Sequence, residues 1–195
     1  MRPKTFVALA VLSAAALGQG SVYFSESFAN NAAGWTLGAE WQIGAAAASV
    51  GENNGSGDPA VDACGIPGGG VAGVIIGGNA ATNLHPFRYI ESPAVNTAGA
   101  ASLWLSFDRF LNSDWTPFMN NVVEVFDGTF WLQIWQSGAF PSVQDSAWGR
   151  HSFDVTAFAN SNFRVRFGFE IASSGVFTVS SWNLDNVVIS SAPAP

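Results

Sequence analysis

The stretch Phe163-Arg164-Val165-Arg166-Phe167-Gly168-Phe169 indicates the fold class, because apolar side chains alternate in it with arginine and glycine. A period of two places one set of side chains on a buried sheet face and the other set on a wet face. Shorter runs with this period recur between turn residues, at 22–28, 103–107, 123–125, 130–134 and 184–189. No stretch offers a comparable helical pattern. The chain is therefore predicted to be all-β.

The dipeptide Asp127-Gly128 lies between two of these runs. It predicts a tight hairpin, since a type I′ turn needs positive φ at both central residues. The flanking strands are expected to pair antiparallel. Many short strands around one core predict a two-sheet antiparallel β-sandwich of the jelly-roll type, and a closed up-and-down barrel is the structural alternative.

Composition and charge limit the partners that the chain can have. Of its 195 residues, 48% are hydrophobic and 11% are charged, which suits one domain with a packed core. Asp and Glu number 14 against 7 Lys and Arg. Without Arg2 and Lys4, which lie in a predicted signal segment, the balance is 5 against 14 with no lysine, a net charge of −9. Such a surface repels polyanions, so neither nucleic acid nor an anionic membrane is an expected partner.

Residues 1–20 are predicted to be a secretory signal peptide. Arg2 and Lys4 precede an apolar run at 6–17, and small residues follow that run. The run is too short to span a bilayer, which takes about 20 residues as a helix. The mature chain is therefore expected to be secreted or extracellular, either free or tethered to the cell envelope, and to have no membrane span.

Residues 21–191 are predicted to form a single domain. Cys64 is the only cysteine, so no intrachain disulfide can form and the core has to provide the stability. Residues 51–83 are rich in Gly, Asn and Ala and predict a long ordered flap, with a strand only at 71–76. The closing residues 192–195, with the sequence Ala-Pro-Ala-Pro, predict the start of a spacer.

Candidates for catalysis are few. His85 and His151 have no sequence-near partner of the kind that a triad or a metal site needs, and both are interpreted as hydrogen-bonding surface or edge histidines. Glu124 and Asp127 are the nearest carboxylate pair for a glycosidase, but a strand end and a turn would direct them differently. The chain is predicted not to be an enzyme. A polysaccharide hydrolase or lyase on the same fold is the alternative.

Two loops carry candidates for binding. Asp58 and Asp62 lie in a polar loop, and Ca²⁺ takes about six to eight oxygen ligands from carboxylates and carbonyl groups, so calcium binding competes with a simply solvated loop. Asp114 and Trp115 lie in a segment of loop composition, and an aromatic ring beside polar groups is typical of a sugar-stacking site. The alternative is that Trp115 covers one end of the core.

Three stretches together resemble a known family. They are Phe24-Ser25-Glu26-Ser27-Phe28, Tyr89-Ile90-Glu91-Ser92-Pro93-Ala94-Val95 and Ser181-Trp182-Asn183-Leu184-Asp185-Asn186-Val187. In this order they resemble the exported bacterial MAM-like jelly-roll domains of the choice-of-anchor J or cleaved-adhesin type. The resemblance implies a non-catalytic β-sandwich used for adhesion or for glycan binding. The paired cysteines of animal MAM domains are missing here.

The resemblance also implies a structural calcium ion, which some relatives carry. Carried over by position, its ligands would be Glu26 of the first strand, Asp58 or Asp62 of the polar loop, and Asp185 of the last strand. Asn186 replaces the second Asp of the family's closing pair. The expected function is therefore a secreted or envelope-associated module that binds a glycan or an extracellular protein. A purely structural surface-layer or adhesion unit is a third alternative.

Overall fold

The computed structural model describes residues 20–180 and 182–194, so the predicted signal segment lies outside the described residues except for its last position. Within these ranges the chain is all-β, and its one helical segment is a short 3₁₀ turn, Thr156–Phe158. No described helix has the length and apolarity needed to cross a membrane. The strands are β1 (Val22–Glu26), β2 (Thr36–Leu37), β3 (Trp41–Ala45), β4 (Gly70–Val74), β5 (His85–Glu91), β6 (Trp104–Leu111), β7 (Met119–Phe126), β8 (Trp131–Gln136), β9 (Gly149–Asp154), β10 (Arg164–Ile171) and β11 (Trp182–Ser190).

The strands form two antiparallel sheets packed face to face. The first sheet has the order β3-β4-β11-β6-β9, and β1 also pairs with β11. The second sheet has the order β2-β5-β10-β7-β8. Strand β10, which contains the alternating arginines, is the central strand of the second sheet. The predicted two-sheet antiparallel β-sandwich is confirmed, and the barrel alternative is not what the chain adopts.

Aromatic rings fill the core between the sheets. Phe167 of β10 is fully buried, and its ring centroid lies 4.9 Å from that of Phe107 on β6 and 5.8 Å from that of Trp182 on β11. Trp41 of β3 lies 5.8 Å from Trp182 in turn. Burying one such side chain stabilises the fold by about 1.5–3 kcal/mol. Such ring contacts stabilise the core of a chain that has a single cysteine and cannot form an intrachain disulfide.

The hairpin predicted at Asp127-Gly128 connects β7 and β8, which pair antiparallel. Its turn differs from the expected type I′ turn, because Gly128 has a φ of 101° but Asp127 is not in the left-handed region. Asp127 instead accepts hydrogen bonds at Oδ1 from the backbone N–H groups of Thr129 and Phe130, at 2.7 and 2.8 Å. The hairpin is therefore confirmed, whereas the type I′ turn centred on Asp127-Gly128 is wrong: the backbone N–H of Asp127 donates to the carbonyl oxygen of Phe130 at 3.1 Å, so Gly128 and Thr129 are the central residues.

Strand β11 has two partners on one side, and this leaves a gap in the first sheet. Strand β4 pairs with Asn183 and Leu184, whereas β1 pairs with the half that begins at Val187. Asp185 and Asn186 lie between these halves, and the register against β6 shifts at this point. Asn186 has a φ of 47°, which marks the irregularity in the backbone. The predicted flap, residues 51–83, contains β4 and passes over this gap, where the backbone N–H of Ala63 donates to Asp185 Oδ2.

The two ends of the domain meet on the first sheet. Ser191 donates its backbone N–H to the carbonyl oxygen of Ser21 at 2.9 Å. Ala194 donates its N–H to Oγ of Ser106 on β6 at 3.1 Å. The described part of the predicted spacer, residues 192–194, therefore lies against the outer side of this sheet.

We expect Phe167→Ala to lower the free energy of unfolding by about 3–5 kcal/mol, because truncation leaves a cavity among three other aromatic rings. Phe130→Ala is the matched control, since that ring is 67% exposed, and it should change stability by less than about 0.5 kcal/mol. Urea unfolding followed by tryptophan fluorescence measures both values. Equal effects of the two substitutions would contradict the placement of the core.

Candidate functional site

An acidic cluster lies in the gap of the first sheet, formed by Asp62, Asp108 and Asp185. One ligand atom each from Asp62, Cys64 and Asp185 lies within 4.8 Å of the other two. Asn186 donates its Nδ2 hydrogens to Asp108 Oδ2 at 2.9 Å and to Asp185 Oδ2 at 3.3 Å. The two predicted calcium ligands Asp62 and Asp185 are thus brought together by the fold, although they lie far apart in the sequence.

The flap carries Asp62 to this position by close contact with the sheet. Asp62 Oδ1 accepts hydrogen bonds from the backbone N–H groups of Cys64 and Ile66, at 2.9 and 2.8 Å. A Cβ atom at Gly69 would lie 2.0 Å from Asp62 Oδ2, so only glycine leaves room for this carboxylate. The backbone N–H of Ala63 donates to Asp185 Oδ2 at 3.1 Å and connects the flap to β11.

The pKa of Asp185 is raised to about 6, mainly because burial disfavours the charged carboxylate. The negative charges of Asp62 and Asp108 raise this pKa further, whereas hydrogen bonds from the N–H groups of Asn186 and Ala63 lower it. One cation stands at the edge of the cluster, Arg150, whose Nε lies 3.2 Å from Asp108 Oδ1. The two carboxylates fit a hard cation that prefers oxygen ligands, such as Ca²⁺.

The other two predicted calcium ligands lie outside this group. Glu26 Oε1 accepts a hydrogen bond from the backbone N–H of Phe28 at 2.7 Å, which stabilises the turn after β1. Asp58 belongs to the flap and is buried against β11, where its Oδ1 accepts a hydrogen bond from Asn183 Nδ2 at 2.8 Å. Glu26 and Asp58 therefore have structural partners of their own, and the acidic cluster contains Asp62 as the ligand from the polar loop.

Asp114 and Trp115, the predicted sugar-stacking pair, lie at one end of the sandwich. Asp114 is buried, and its carboxylate accepts hydrogen bonds from the backbone N–H groups of Trp115 and Phe177, both at 2.8 Å. Trp115 is half-buried and meets the rings of Phe118, Phe140 and Phe177 edge to face at 5.4 to 5.7 Å. This packing agrees with the alternative in which Trp115 covers an end of the core. The direct role of this pair in binding stays a prediction.

The outer face of the second sheet carries a platform of rings and arginines, formed by Tyr89, Phe126, Trp131, Arg164 and Arg166. The guanidinium carbon of Arg166 lies 3.9 Å from the ring centroid of Tyr89 and 4.2 Å from that of Trp131. Arg164 lies 4.4 Å from the ring centroid of Phe126. Cation–π contacts of this geometry stabilise by about 0.5–2 kcal/mol each. These contacts hold the rings and the arginines of the platform together.

Ion pairs and close packing against a glycine also hold the platform. Arg166 Nε lies 2.6 Å from Glu124 Oε2, and Arg164 forms an ion pair with Glu91. Burial and the nearby carboxylate of Glu124 raise the pKa of Tyr89 to about 12. The ring of Tyr89 lies directly over Gly168, because a Cβ atom there would come within 2.4 Å of it. Gly168 is thus required by close packing and not by its φ angle.

A groove of about 410 Å³ lies beside the platform on the same face. Its lining combines a ring, an apolar side chain and polar groups, in Phe87, Thr116, Asn120, Val122, Gln133, Gln136, Gly138, Ala139 and Glu170. Volumes of roughly 300–1,000 Å³ are typical of ligand pockets. Because Thr116 belongs to this lining, the loop predicted to bind sugar contributes to the groove next to Trp115.

Polar side chains of the groove are positioned by one another. Asn120 donates from Nδ2 to Glu170 Oε1 at 2.7 Å, and Gln133 donates from Nε2 to Gln136 Oε1 at 3.1 Å. The backbone N–H of Thr116 donates to the carbonyl oxygen of Gly138 at 2.9 Å and closes one end. The sequence shows only that these positions alternate with core residues. Their assembly depends on the pairing of β5, β10, β7 and β8.

The catalytic candidates have structural roles in the described chain. His85 is buried with its ring 4.9 Å from that of Phe169, which corrects its interpretation as a surface residue. His151 lies 5.8 Å from the ring of Phe107, and burial lowers its pKa. Glu124 is the ion-pair partner of Arg166. Asp127 caps the hairpin turn, where the backbone N–H groups of Phe130 and Thr129 lower its pKa.

Comparison with known proteins shows similarity at the level of the fold. No family model matches the sequence, and no curated protein matches it. Among solved structures, the chain is similar to the K1 cleaved adhesin domain of Lys-gingipain from Porphyromonas gingivalis W83, with a TM-score of 0.51 and 17% identity over 90% of this chain and 99% of that one. SGBP-B from a complex xyloglucan utilization locus in Bacteroides uniformis has a TM-score of 0.50 and 10% identity, over 81% of this chain and 47% of that one.

A further similar structure is the CBM22-1 xylan-binding domain of Paenibacillus barcinonensis Xyn10C, with a TM-score of 0.47 and 15% identity, over 92% of this chain and 100% of that one. At these identities the likeness concerns the fold alone. A β-sandwich similar in fold to the cleaved adhesin domain is thus supported. The MAM-like and choice-of-anchor J labels stay predictions.

The raised pKa of Asp185 predicts a pH-dependent effect of the substitution Asp185→Asn in the presence of a chelator. Between its ordinary pKa of 3.8 and the folded value of about 6, the folded chain binds a proton that the unfolded chain does not. Wild-type stability, measured against this variant, should therefore increase as the pH falls from 7 through 6 to 4. Urea unfolding of both proteins at several pH values measures the difference. A difference independent of pH would contradict the shifted pKa.

Proposed function

We propose that this chain is a non-catalytic module that binds a glycan in the groove on the outer face of the second sheet. The groove itself carries the proposal, because it combines the ring of Phe87 with amide, hydroxyl and carboxylate groups on a rigid sheet. A sugar presents C–H faces to an aromatic ring and hydroxyl groups to polar side chains. The adhesin and xyloglucan-locus proteins of similar fold support this class of function.

The contacts that hold the platform favour a binding role over a catalytic role. Its arginines are engaged by rings and carboxylates on both sides, so the face is ordered in the free protein. A preorganised surface loses less side-chain entropy on binding, which raises affinity for an extended ligand. Within the described residues, the carboxylates considered for hydrolysis, Glu124 and Asp127, are committed to an arginine and to a turn. A polysaccharide-degrading enzyme is the alternative that the groove supports less well.

We predict that Phe87→Ala and Gln136→Ala each weaken binding to a recognised polysaccharide about 5- to 30-fold, since each removes a contact worth roughly 1–2 kcal/mol. Affinity gel electrophoresis against a panel of plant and envelope polysaccharides finds the ligand, and calorimetry with an oligosaccharide measures the loss.

Tyr23→Ala is the matched control, because this exposed aromatic residue belongs to β1 in the other sheet. Trp115→Ala tests the alternative in which the loop ring itself stacks on the sugar. A loss with Trp115→Ala and none with Phe87→Ala would move the site from the groove to the loop. Turnover of the polymer would instead favour the enzymatic alternative.

We also propose that Asp62 and Asp185 hold a structural calcium ion that fastens the flap to β11. The charge of the cluster supports this proposal, since two carboxylates meet with Asp108 close by and only Arg150 opposes them. An ion there would offset the repulsion that accompanies the burial of Asp185. Backbone carbonyl groups and water would complete the ligand set.

Calcium is expected to raise the melting temperature at pH 7.5, by about 5 °C or more when its concentration exceeds its Kd a hundredfold. The rise should be smaller at pH 5, because protonation of Asp185, with its pKa of about 6, competes with the ion. Asp62→Asn should abolish the rise and Glu52→Gln, at an exposed position of the flap, should leave it intact. A melting temperature insensitive to both calcium and chelator would end the proposal.

The location that we propose is outside the cytoplasm, free or attached to the envelope. The basic residues and the apolar run of the first twenty residues support export, although they lie outside the described structure. Expression of the full chain with detection of the N-terminus of the exported form tests this directly.

A further inference from the structure

Every cation in the described chain is already paired with a carboxylate. Residues 20–180 and 182–194 contain five arginines and no lysine. Their ion pairs are Arg88 with Glu40, Arg109 with Asp145, Arg150 with Asp108, Arg164 with Glu91 and Arg166 with Glu124. An acidic ligand therefore meets no free cation on this part of the molecule.

The two arginines next to the groove are each held by a carboxylate and by at least one aromatic ring. Arg166 is enclosed by Glu124 and by the rings of Tyr89 and Trp131, and Arg164 lies between Glu91 and the ring of Phe126. A ligand carboxylate that paired with either guanidinium would compete with the protein carboxylate that already holds it. That exchange replaces one ion pair by another and leaves a protein carboxylate without its partner.

The groove itself adds negative charge. Glu170 contributes a carboxylate to the lining, and Asn120 holds its Oε1 at 2.7 Å. The remaining polar side chains of the lining are neutral amides and a hydroxyl. Such groups suit a ligand whose hydroxyls both donate and accept hydrogen bonds, and they offer nothing that would offset the charge of a uronate or a sulfate.

We infer that the ligand of the groove is a neutral polysaccharide and that Glu170 determines this specificity. Its carboxylate accepts a hydrogen bond from a sugar hydroxyl and repels acidic sugars at the same position. This inference rests on the proposed function, since it names the class of glycan that the groove takes.

The test compares one polymer in two charge states. A neutral polysaccharide that binds in the panel is compared with its own carboxymethylated derivative, by affinity electrophoresis and by calorimetry with oligosaccharides of both. The wild-type protein should bind the derivative at least about tenfold more weakly. Binding of the neutral polymer should be nearly unchanged between low salt and about 0.5 M NaCl, since no ion pair forms with it.

Glu170→Gln keeps the carbonyl acceptor for Asn120 and removes the charge. It should narrow the preference for the neutral polymer to less than about threefold, mainly by improved binding of the acidic derivative. Glu52→Gln is the matched control that removes one exposed charge elsewhere, and it should retain the wild-type preference. Thermal unfolding checks that both variants are folded.

The outcomes separate the two proposals. Equal or tighter binding of the acidic derivative by the wild-type protein would overturn this inference and leave the groove as a glycan site. An unchanged preference in Glu170→Gln would overturn the role of Glu170. Failure of every neutral and acidic polymer to bind would overturn the proposed function and this inference with it.

Discussion

One face of strand β10 packs into the core and the other face is exposed to solvent. The side chains of the neighbouring strands in the second sheet match both faces. Val165, Phe167 and Phe169 point into the core, where burial stabilises the whole sandwich. Arg164 and Arg166 are forced by the same alternation onto the outer face. Because β10 is the central strand, its neighbours on both sides must supply partners for these arginines. They supply Glu91 and Tyr89 from β5, and Glu124 and Phe126 from β7.

The small number of cations determines the charge of the outer face of the second sheet. Residues 21–195 contain five arginines against 14 carboxylates, and each of these arginines forms an ion pair. Ion pairs at a surface are weak one by one, but here they are combined with aromatic rings and partial burial. The face that results is rigid, aromatic and without a free positive charge. These properties suit an uncharged, hydroxyl-rich ligand better than a charged one.

In the acidic cluster, carboxylates lie close to one another, in contrast to the ion pairs of the second sheet. Burial of Asp185 beside Asp62 and Asp108 costs stability, as its raised pKa indicates. Strongly shifted carboxyl groups of this kind are typical of functional sites and of sites that bind ions. The cluster also lies where the sheet is interrupted, between the ends of β1 and β4. An ion at that point would connect the flap with the central strand of the first sheet.

The sequence by itself determined the all-β class and the two-sided character of the alternating strands, whereas the short strands β2 and β3 have no counterpart among the predicted runs. Alternation is a local property, so Phe163 to Phe169 predicts a half-buried strand without knowledge of its neighbours, and Asp127-Gly128 predicts a hairpin. The sequence also shows a single cysteine, which excludes an intrachain disulfide. Its excess of acidic residues disfavours polyanionic partners.

Only the tertiary structure decided which side chains meet. Asp62 and Asp185 come together because β1 and β4 share one side of β11, and a strand order of this kind is not encoded in a local period. Asp58 meets Asn183, and His85 meets Phe169, through long-range contacts of the same kind, whereas the partner of Glu26 is the nearby backbone N–H of Phe28. The groove is assembled from β5, β7, β8 and β10 together with the loop at Thr116, and no single strand carries its combination of a ring, an apolar side chain and polar groups. Long-range pairing sets these contacts, because hydrogen bonds between strands bring side chains together irrespective of their distance along the chain.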